Sequence, residues 1–193
     1  MGHEVTESPE IEKWSGFKAW AYSLIQGKPK NNNALVEYAG VGPGDRVLDI
    51  GCGPGAALEG AVAAGADEVS GVDPSPAMVK RAAKRVPKAT VQEASAESLP
   101  FGDGAFTAVW TISTFHHWSE RSGGLAEMLR VLEPGGAFYV VERELKPGGS
   151  GHGLSRKEGQ QVASRITEDH EVPARVDTLK AGRQTYLVIT GSR

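Results

Sequence analysis

The run Val47-Leu48-Asp49-Ile50-Gly51-Cys52-Gly53-Pro54-Gly55 decides how the chain is read. A short apolar stretch carrying one acid breaks into three alternate glycines, the pattern of a strand that ends in a ligand loop. Gly51, Gly53 and Gly55 can take backbone angles closed to other residues, and they let a bound molecule approach the main chain without meeting a Cβ. A helix is expected to begin near Ala56, turning its unpaired N–H groups and positive end toward the loop.

Outward from this stretch, helix and strand signals alternate. Residues 46–50, 68–72, 90–92, 106–111 and 137–141 read as strands, with helices predicted over 56–64, 75–86 and 125–132. Ser75 as N-cap with Pro76 in the first helical position is a well-formed start. Such alternation predicts a doubly wound, mostly parallel α/β sheet with helices on both faces. The last part differs. Ser155-Arg156-Lys157-Glu158 has the form of a capping box, and strands over 174–179 and 185–190 follow its helix, joined by Lys180-Ala181-Gly182-Arg183. The expected fold is a Rossmann-like, seven-stranded sheet ending in an antiparallel hairpin.

A chain of 193 residues suits one domain, 1–193, with 1–42 as an N-terminal helical cover segment. Ile11, Trp14, Phe17, Ala21 and Leu24 recur at helical spacing, and Asn31-Asn32-Asn33 offers an N-cap for a helix over 34–39. Trp14, Trp20 and Tyr22 either cover the sheet or close over a ligand. A net charge of −3 and a pI near 6.0 leave no basic field to draw nucleic acid or a membrane surface, and neither partner is expected. The start, Met1-Gly2-His3-Glu4, has neither the basic flank nor the apolar run of a leader, so a cytoplasmic protein is expected. The single cysteine, Cys52, excludes an internal disulfide and a thiolate metal cage.

Two ligand classes fit the loop. Gly51, Gly53 and Ala56 satisfy a dinucleotide pattern, and Asp73 at the end of the next strand could hold a ribose in either case, so an NAD(P)-dependent oxidoreductase is one reading. Three features favour another ligand. Asp49 suits an ammonium group and would repel a pyrophosphate. Pro54 removes an N–H that a phosphate would use. The terminal hairpin departs from the simple two-halves dinucleotide fold.

Four ordered stretches, 47–55, 71–79 (Gly-Val-Asp-Pro-Ser-Pro-Ala-Met-Val), 98–106 (Ser-Leu-Pro-Phe-Gly-Asp-Gly-Ala-Phe) and 130–136 (Arg-Val-Leu-Glu-Pro-Gly-Gly), resemble successive motifs of class I S-adenosylmethionine-dependent methyltransferases. His116-His117-Trp118 resembles a feature of the small-molecule branch that includes the ubiquinone and menaquinone methyltransferases. The resemblance implies S-adenosyl-L-methionine as cofactor, S-adenosyl-L-homocysteine as product and a small-molecule acceptor. It further implies that Asp49, Gly51, Cys52, Gly53 and Gly55 hold the methionine part, that Asp73 takes the ribose hydroxyls, and that Pro74, Ser75 and Met78 flank the adenine. Thr111, at the end of the fourth strand, is counted with the cofactor contacts. Where relatives place Asp before Ala for the adenine amino group, this chain has Ser95-Ala96, followed by Glu97. Thr107 replaces an acid often found after Phe106. These departures keep a non-catalytic S-adenosylmethionine-binding protein as a further alternative.

Methyl transfer needs two reactants held in line, without a metal or a covalent intermediate. No metal site is expected. For a hydroxyl acceptor a base helps, and His116 and His117 follow the strand that should end beside the glycine loop, so they are the candidate catalytic residues. Phe115 and Trp118 either line the acceptor pocket or belong to the core. His3, His152 and His170 have no evident partners. The glycine-rich stretch 146–153 is a flexible connector or a closing loop, and pocket closure would otherwise fall to the N-terminal helix or a second subunit of a homodimer.

Overall fold

Helix α1 (Pro29–Ala39) leads into strand β1 (Arg46–Ile50), helix α2 (Ala56–Ala64), strand β2 (Glu68–Asp73), helix α3 (Pro76–Arg85) and strand β3 (Thr90–Glu93) in the computed structural model, which describes residues 29–146 and 151–193. Strand β4 (Phe106–Ile112), a 3-10 turn (Phe115–His117), helix α4 (Arg121–Arg130) and strand β5 (Leu132–Leu145) follow. A two-residue strand β6 (Leu154–Ser155), helix α5 (Arg156–His170) and strands β7 (Ala174–Ala181) and β8 (Gln184–Ser192) complete the order.

The strands lie in the order β3-β2-β1-β4-β5-β8-β7, with β6 pairing β5 off this path. β1 to β5 run parallel, and β8 sits antiparallel between β5 and β7. The expected seven-stranded sheet with its antiparallel end is therefore present, with β6 as a short addition. The chain winds outward from β1 to β3 and then crosses to β4 on the other side of β1. That reversal makes the crevice beyond the carboxyl ends of β1 and β4 the place where such sheets bind ligands.

Alternation along the strands sorts the core into two layers. Leu48, Ile50, Val109, Phe138 and Val140 pack on one face with Leu125, Met128 and Ile166 of α4 and α5. Val47, Trp110, Tyr139 and Val141 pack on the other with Leu35, Leu58 and Ala82 of α1, α2 and α3. Asp49 shares the parity of Val47, and its neighbour across the β1–β4 pair is Trp110.

Several boundaries move. α1 begins at Pro29, ahead of the asparagines expected to cap it; the predicted aromatic helix before it lies outside the described residues. α4 begins at Arg121 and not at Leu125, because the Glu120 side chain accepts from the Ser122 and Gly123 N–H groups and caps a first turn that the two glycines obscure. β5 is far longer than expected, since it pairs both with β4 and with β8. The capping box of α5 forms as predicted: Ser155 and Glu158 each hold the other's backbone N–H. The hairpin turn narrows to Gly182 and Arg183, with Gly182 at φ 62°.

Candidate active site

The glycine loop leaves β1 with Gly51, Gly53 and Gly55 all at positive φ, 75°, 53° and 83°. Its N–H groups are already engaged. Those of Gly51 and Cys52 donate to the Val72 carbonyl, that of Gly53 to Asp73 Oδ2, and that of Gly55 to the Cys52 carbonyl, while Pro54 has none. A pyrophosphate would find no free N–H within residues 51–55, only those in the first turn of α2. Cys52 turns inward. Its sulfur lies 3.0 Å from where a Cβ on Gly71 would stand, and burial pushes its thiol far up, so only its backbone can meet a ligand.

Asp49 is 2% exposed, and its Oδ1 has no hydrogen-bond partner. Burial pushes its carboxyl up to about 7; the adjacent Trp110 indole pulls it down and Asp73 raises it further. The Trp110 Nε1 too lacks a hydrogen-bond partner. An orphaned, buried carboxylate oxygen is costly unless a donor arrives. An ammonium group is such a donor.

Asp73 ends β2 at 8% exposure, accepting from Gly53 and Ser75 N–H groups at 2.9 Å each. Burial raises its carboxyl and those two amides pull it back. Each oxygen retains a second lone pair. Ser75 occupies the N-cap position of α3, but its side chain makes no cap hydrogen bond, so the expectation that Ser75 caps this helix by its hydroxyl is corrected. Around it, Pro74 is exposed, Ser75 half-buried and Met78 buried. Ser95 is half-buried and Ala96 buried. Glu97 has other work: its Oε1 accepts from Ser119 and Glu120 N–H groups at 3.1 and 3.2 Å. Burial would raise its carboxyl, but these amides prevail and hold it below the usual range. Thr107 lies at the opposite end of the strands, donating to Asp45 Oδ1 at 2.8 Å and accepting from the Arg46 N–H at 3.0 Å, so its departure from the family acid is structural.

The histidine loop is fastened to the glycine loop. A Cβ on Gly51 would stand 2.5 Å from Thr114 Oγ1, so only glycine permits this approach. The Thr111 hydroxyl, fully buried, meets that of Thr114 at 2.6 Å, which leaves its side chain turned from solvent. Ser113 between them takes φ 55°, an uncommon angle for a side-chain-bearing residue, and this turns the chain back over β5. There Glu142, 0% exposed, receives His116 twice: the backbone N–H at 3.3 Å and the ring Nδ1 at 2.9 Å. Phe115 is 1% exposed beneath the turn, 5.1 Å from the Trp118 ring, so it is core and not pocket lining.

His152 joins this group. Its Nδ1 lies 3.1 Å from His116 Nε2, and one ring nitrogen from each of His116, His117 and His152 lies within 4.8 Å of the others. The reading that left His152 without a partner is corrected. The cause is local: Arg143 Nε donates to the His152 carbonyl at 3.1 Å, and Gly153, φ 145°, packs where a Cβ would stand 2.3 Å from the Arg143 carbonyl. His152 and Gly153 are thereby held against β5 just before β6 pairs with it. Burial lowers the His117 imidazole below its usual value, His116 and His152 lower it further, and Glu142 opposes them.

A family model described as a methyltransferase domain matches residues 48–140. An uncharacterized methyltransferase of Synechocystis is 34% identical over 67% of this chain and 65% of its own. The demethylmenaquinone methyltransferase of Beutenbergia cavernae is 38% identical over 59% of this chain and 47% of its own. The chain thus spans about half to two thirds of these relatives' lengths. A solved S-adenosylmethionine-dependent methyltransferase of Aquifex aeolicus shares the fold at TM-score 0.75 and 21% identity, covering 94% of this chain and 100% of that one. With the motifs in order and Asp49 buried without a hydrogen-bond partner for Oδ1, this chain carries a methyltransferase domain over residues 48–140.

Proposed function

We propose that the protein transfers a methyl group from S-adenosylmethionine to a small molecule bearing an ionisable hydroxyl. The observation that carries this reading is the Glu142–His116 pair, with His117 and His152 beside it, next to the loop that Asp49 and Gly51 shape. Kinship with a demethylmenaquinone methyltransferase supports a small-molecule acceptor.

When bound, S-adenosylmethionine supplies a methyl group on a positively charged sulfur. Asp49 receives its ammonium group, Asp73 its ribose hydroxyls, and Pro74, Ser75, Met78, Ser95 and Ala96 border its base. Glu142 accepts from Nδ1 of His116 and so leaves the lone pair on Nε2, which lies 3.1 Å from His152 Nδ1 and takes a proton from an acceptor hydroxyl when that ring moves aside. His117, kept neutral by its surroundings, is the second candidate for that proton. In-line alignment of the two reactants supplies the larger share of the acceleration. The segment 1–42 serves as cover, alone or with a second subunit, and the protein works in the cytoplasm; among the described residues no helix is long and apolar enough to cross a membrane.

Calorimetry with S-adenosylhomocysteine, followed by methyl transfer to a panel of hydroxylated aromatics and quinols, tests the reading. A folded sample that gives no heat at high micromolar ligand would falsify it. Tight binding without transfer to any acceptor would favour a non-catalytic role.

A further inference from the structure

We infer that His116, His117 and His152 form a binding site for a divalent transition-metal ion, zinc above all, with Glu142 as its outer carboxylate. The inference rests on four observations. Three imidazoles from two separate loops each bring a ring nitrogen within 4.8 Å of the others. Zinc held by three imidazoles in tetrahedral geometry places the nitrogens about 3.3 Å apart, given bonds of about 2.0 Å. His116 Nε2 and His152 Nδ1 already stand at 3.1 Å, so closing the set requires a shift of roughly an ångström or so in the exposed His117 ring.

The second observation is Glu142. A histidine ligand commonly donates its far nitrogen to a carboxylate, which fixes the tautomer and adds negative charge behind the ion. His116 has that partner at 2.9 Å, on a side chain with no exposure. Third, the backbone is held independently of the rings: Arg143 grips the His152 carbonyl and Arg121 the His116 carbonyl, so the ring nitrogens are left to converge. Fourth, the donor set is all imidazole, which suits zinc, nickel, copper or iron(II) and not magnesium or calcium.

Three protein ligands leave a fourth position open, as in catalytic zinc sites. On the methyltransferase reading, to which this use of the ion belongs, that position takes the acceptor oxygen. The ion acidifies the hydroxyl, whose proton passes to solvent. The oxygen's electron pair then forms the bond to the methyl carbon, and the pair of the broken carbon–sulfur bond stays on sulfur. His116 is in that state a ligand; in the metal-free protein its Nε2 is the proton acceptor.

The test uses the untagged full chain, stripped with a chelator and titrated with zinc against a chromophoric competitor. One ion per chain is expected, with affinity falling at least tenfold in His152→Ala and in His117→Ala and unchanged in His170→Ala. Both cluster rings are exposed, so these variants keep the fold. Failure to take up one ion, or uptake that His152→Ala leaves unaltered, overturns the site. S-adenosylhomocysteine binding to the same stripped samples is measured alongside: its absence would count against the methyltransferase reading while the zinc result stood by itself.

Discussion

Glu142, wholly buried on β5, holds both the backbone N–H and the ring Nδ1 of His116, and so fixes the orientation of the first catalytic candidate from beneath. Replacing one partner of a buried pair leaves the other uncompensated. Glu142→Ala strands the His116 backbone N–H and Nδ1–H without an acceptor and is expected to cost about 1–3 kcal/mol of stability, read from urea unfolding. The milder Glu142→Gln keeps the volume and is expected to lower the rate of methyl transfer by about 10- to 100-fold, with S-adenosylhomocysteine affinity unchanged. A Glu142→Gln enzyme with full activity would remove His116 from the reaction.

Gly51 and Thr114 make a second test. A methyl group at Gly51 would strike Thr114 Oγ1 and would sit on a backbone at φ 75°. The backbone angle alone costs an alanine roughly 1–2 kcal/mol. Gly51→Ala is expected to weaken S-adenosylhomocysteine binding at least about tenfold. Adding Thr114→Ala should recover part of the loss, the part due to the clash, and a double variant no better than the single would show that the two loops are not coupled there.

Asp49 links cofactor binding to pH. Its carboxyl is raised to about 7 in the ligand-free fold, mainly by burial, and an ammonium group requires the ionised form. Affinity for S-adenosylhomocysteine is expected to rise as pH climbs through about 7 and to flatten above it. Stability of the ligand-free protein runs the other way. A raised acid contributes stability that is full below its unfolded value of 3.8 and is lost as pH rises through about 7. Asp73 is also raised and adds to this trend, whereas His117 is lowered and opposes it. The comparison is therefore with Asp49→Asn, which should bind weakly at every pH and unfold at higher denaturant than the parent above neutrality.

Thr107 separates folding from binding. Its hydroxyl bridges Asp45 and Arg46 at the amino ends of β1 and β4, far from the glycine loop. Thr107→Ala is expected to cost about 1–2 kcal/mol in denaturant unfolding while leaving S-adenosylhomocysteine affinity as it was. A binding defect would place this position in the site after all.

The glycine loop and its neighbouring acids were legible along the chain because they are built from local runs. Asp49 and the glycines stand within seven residues of each other, Asp73 closes the next strand, and alternation at 47–50 already separates the two faces of the sheet. Pro54 pointed away from phosphate, and the other N–H groups of residues 51–55 are spent internally. Element ends were less legible where glycines masked them, as at Gly123 and Gly124, whose helix starts only because Glu120 caps it.

The acceptor side needed the tertiary fold. Glu142 lies just past the strand predicted over 137–141 and gives no sign in sequence that it turns inward, and His152 sits 36 positions from His116 in a glycine-rich stretch without periodicity. What joins them is the path of β5: one residue of that strand holds the His116 ring, the next holds the His152 backbone, and Gly153 allows the close approach. Local sequence thus determined the sheet, the glycine loop and the kind of ligand it suits, since each depends on nearest neighbours and strand parity. The meeting of three imidazoles over a buried carboxylate depended on contacts between distant segments, and only the folded chain brings those within reach.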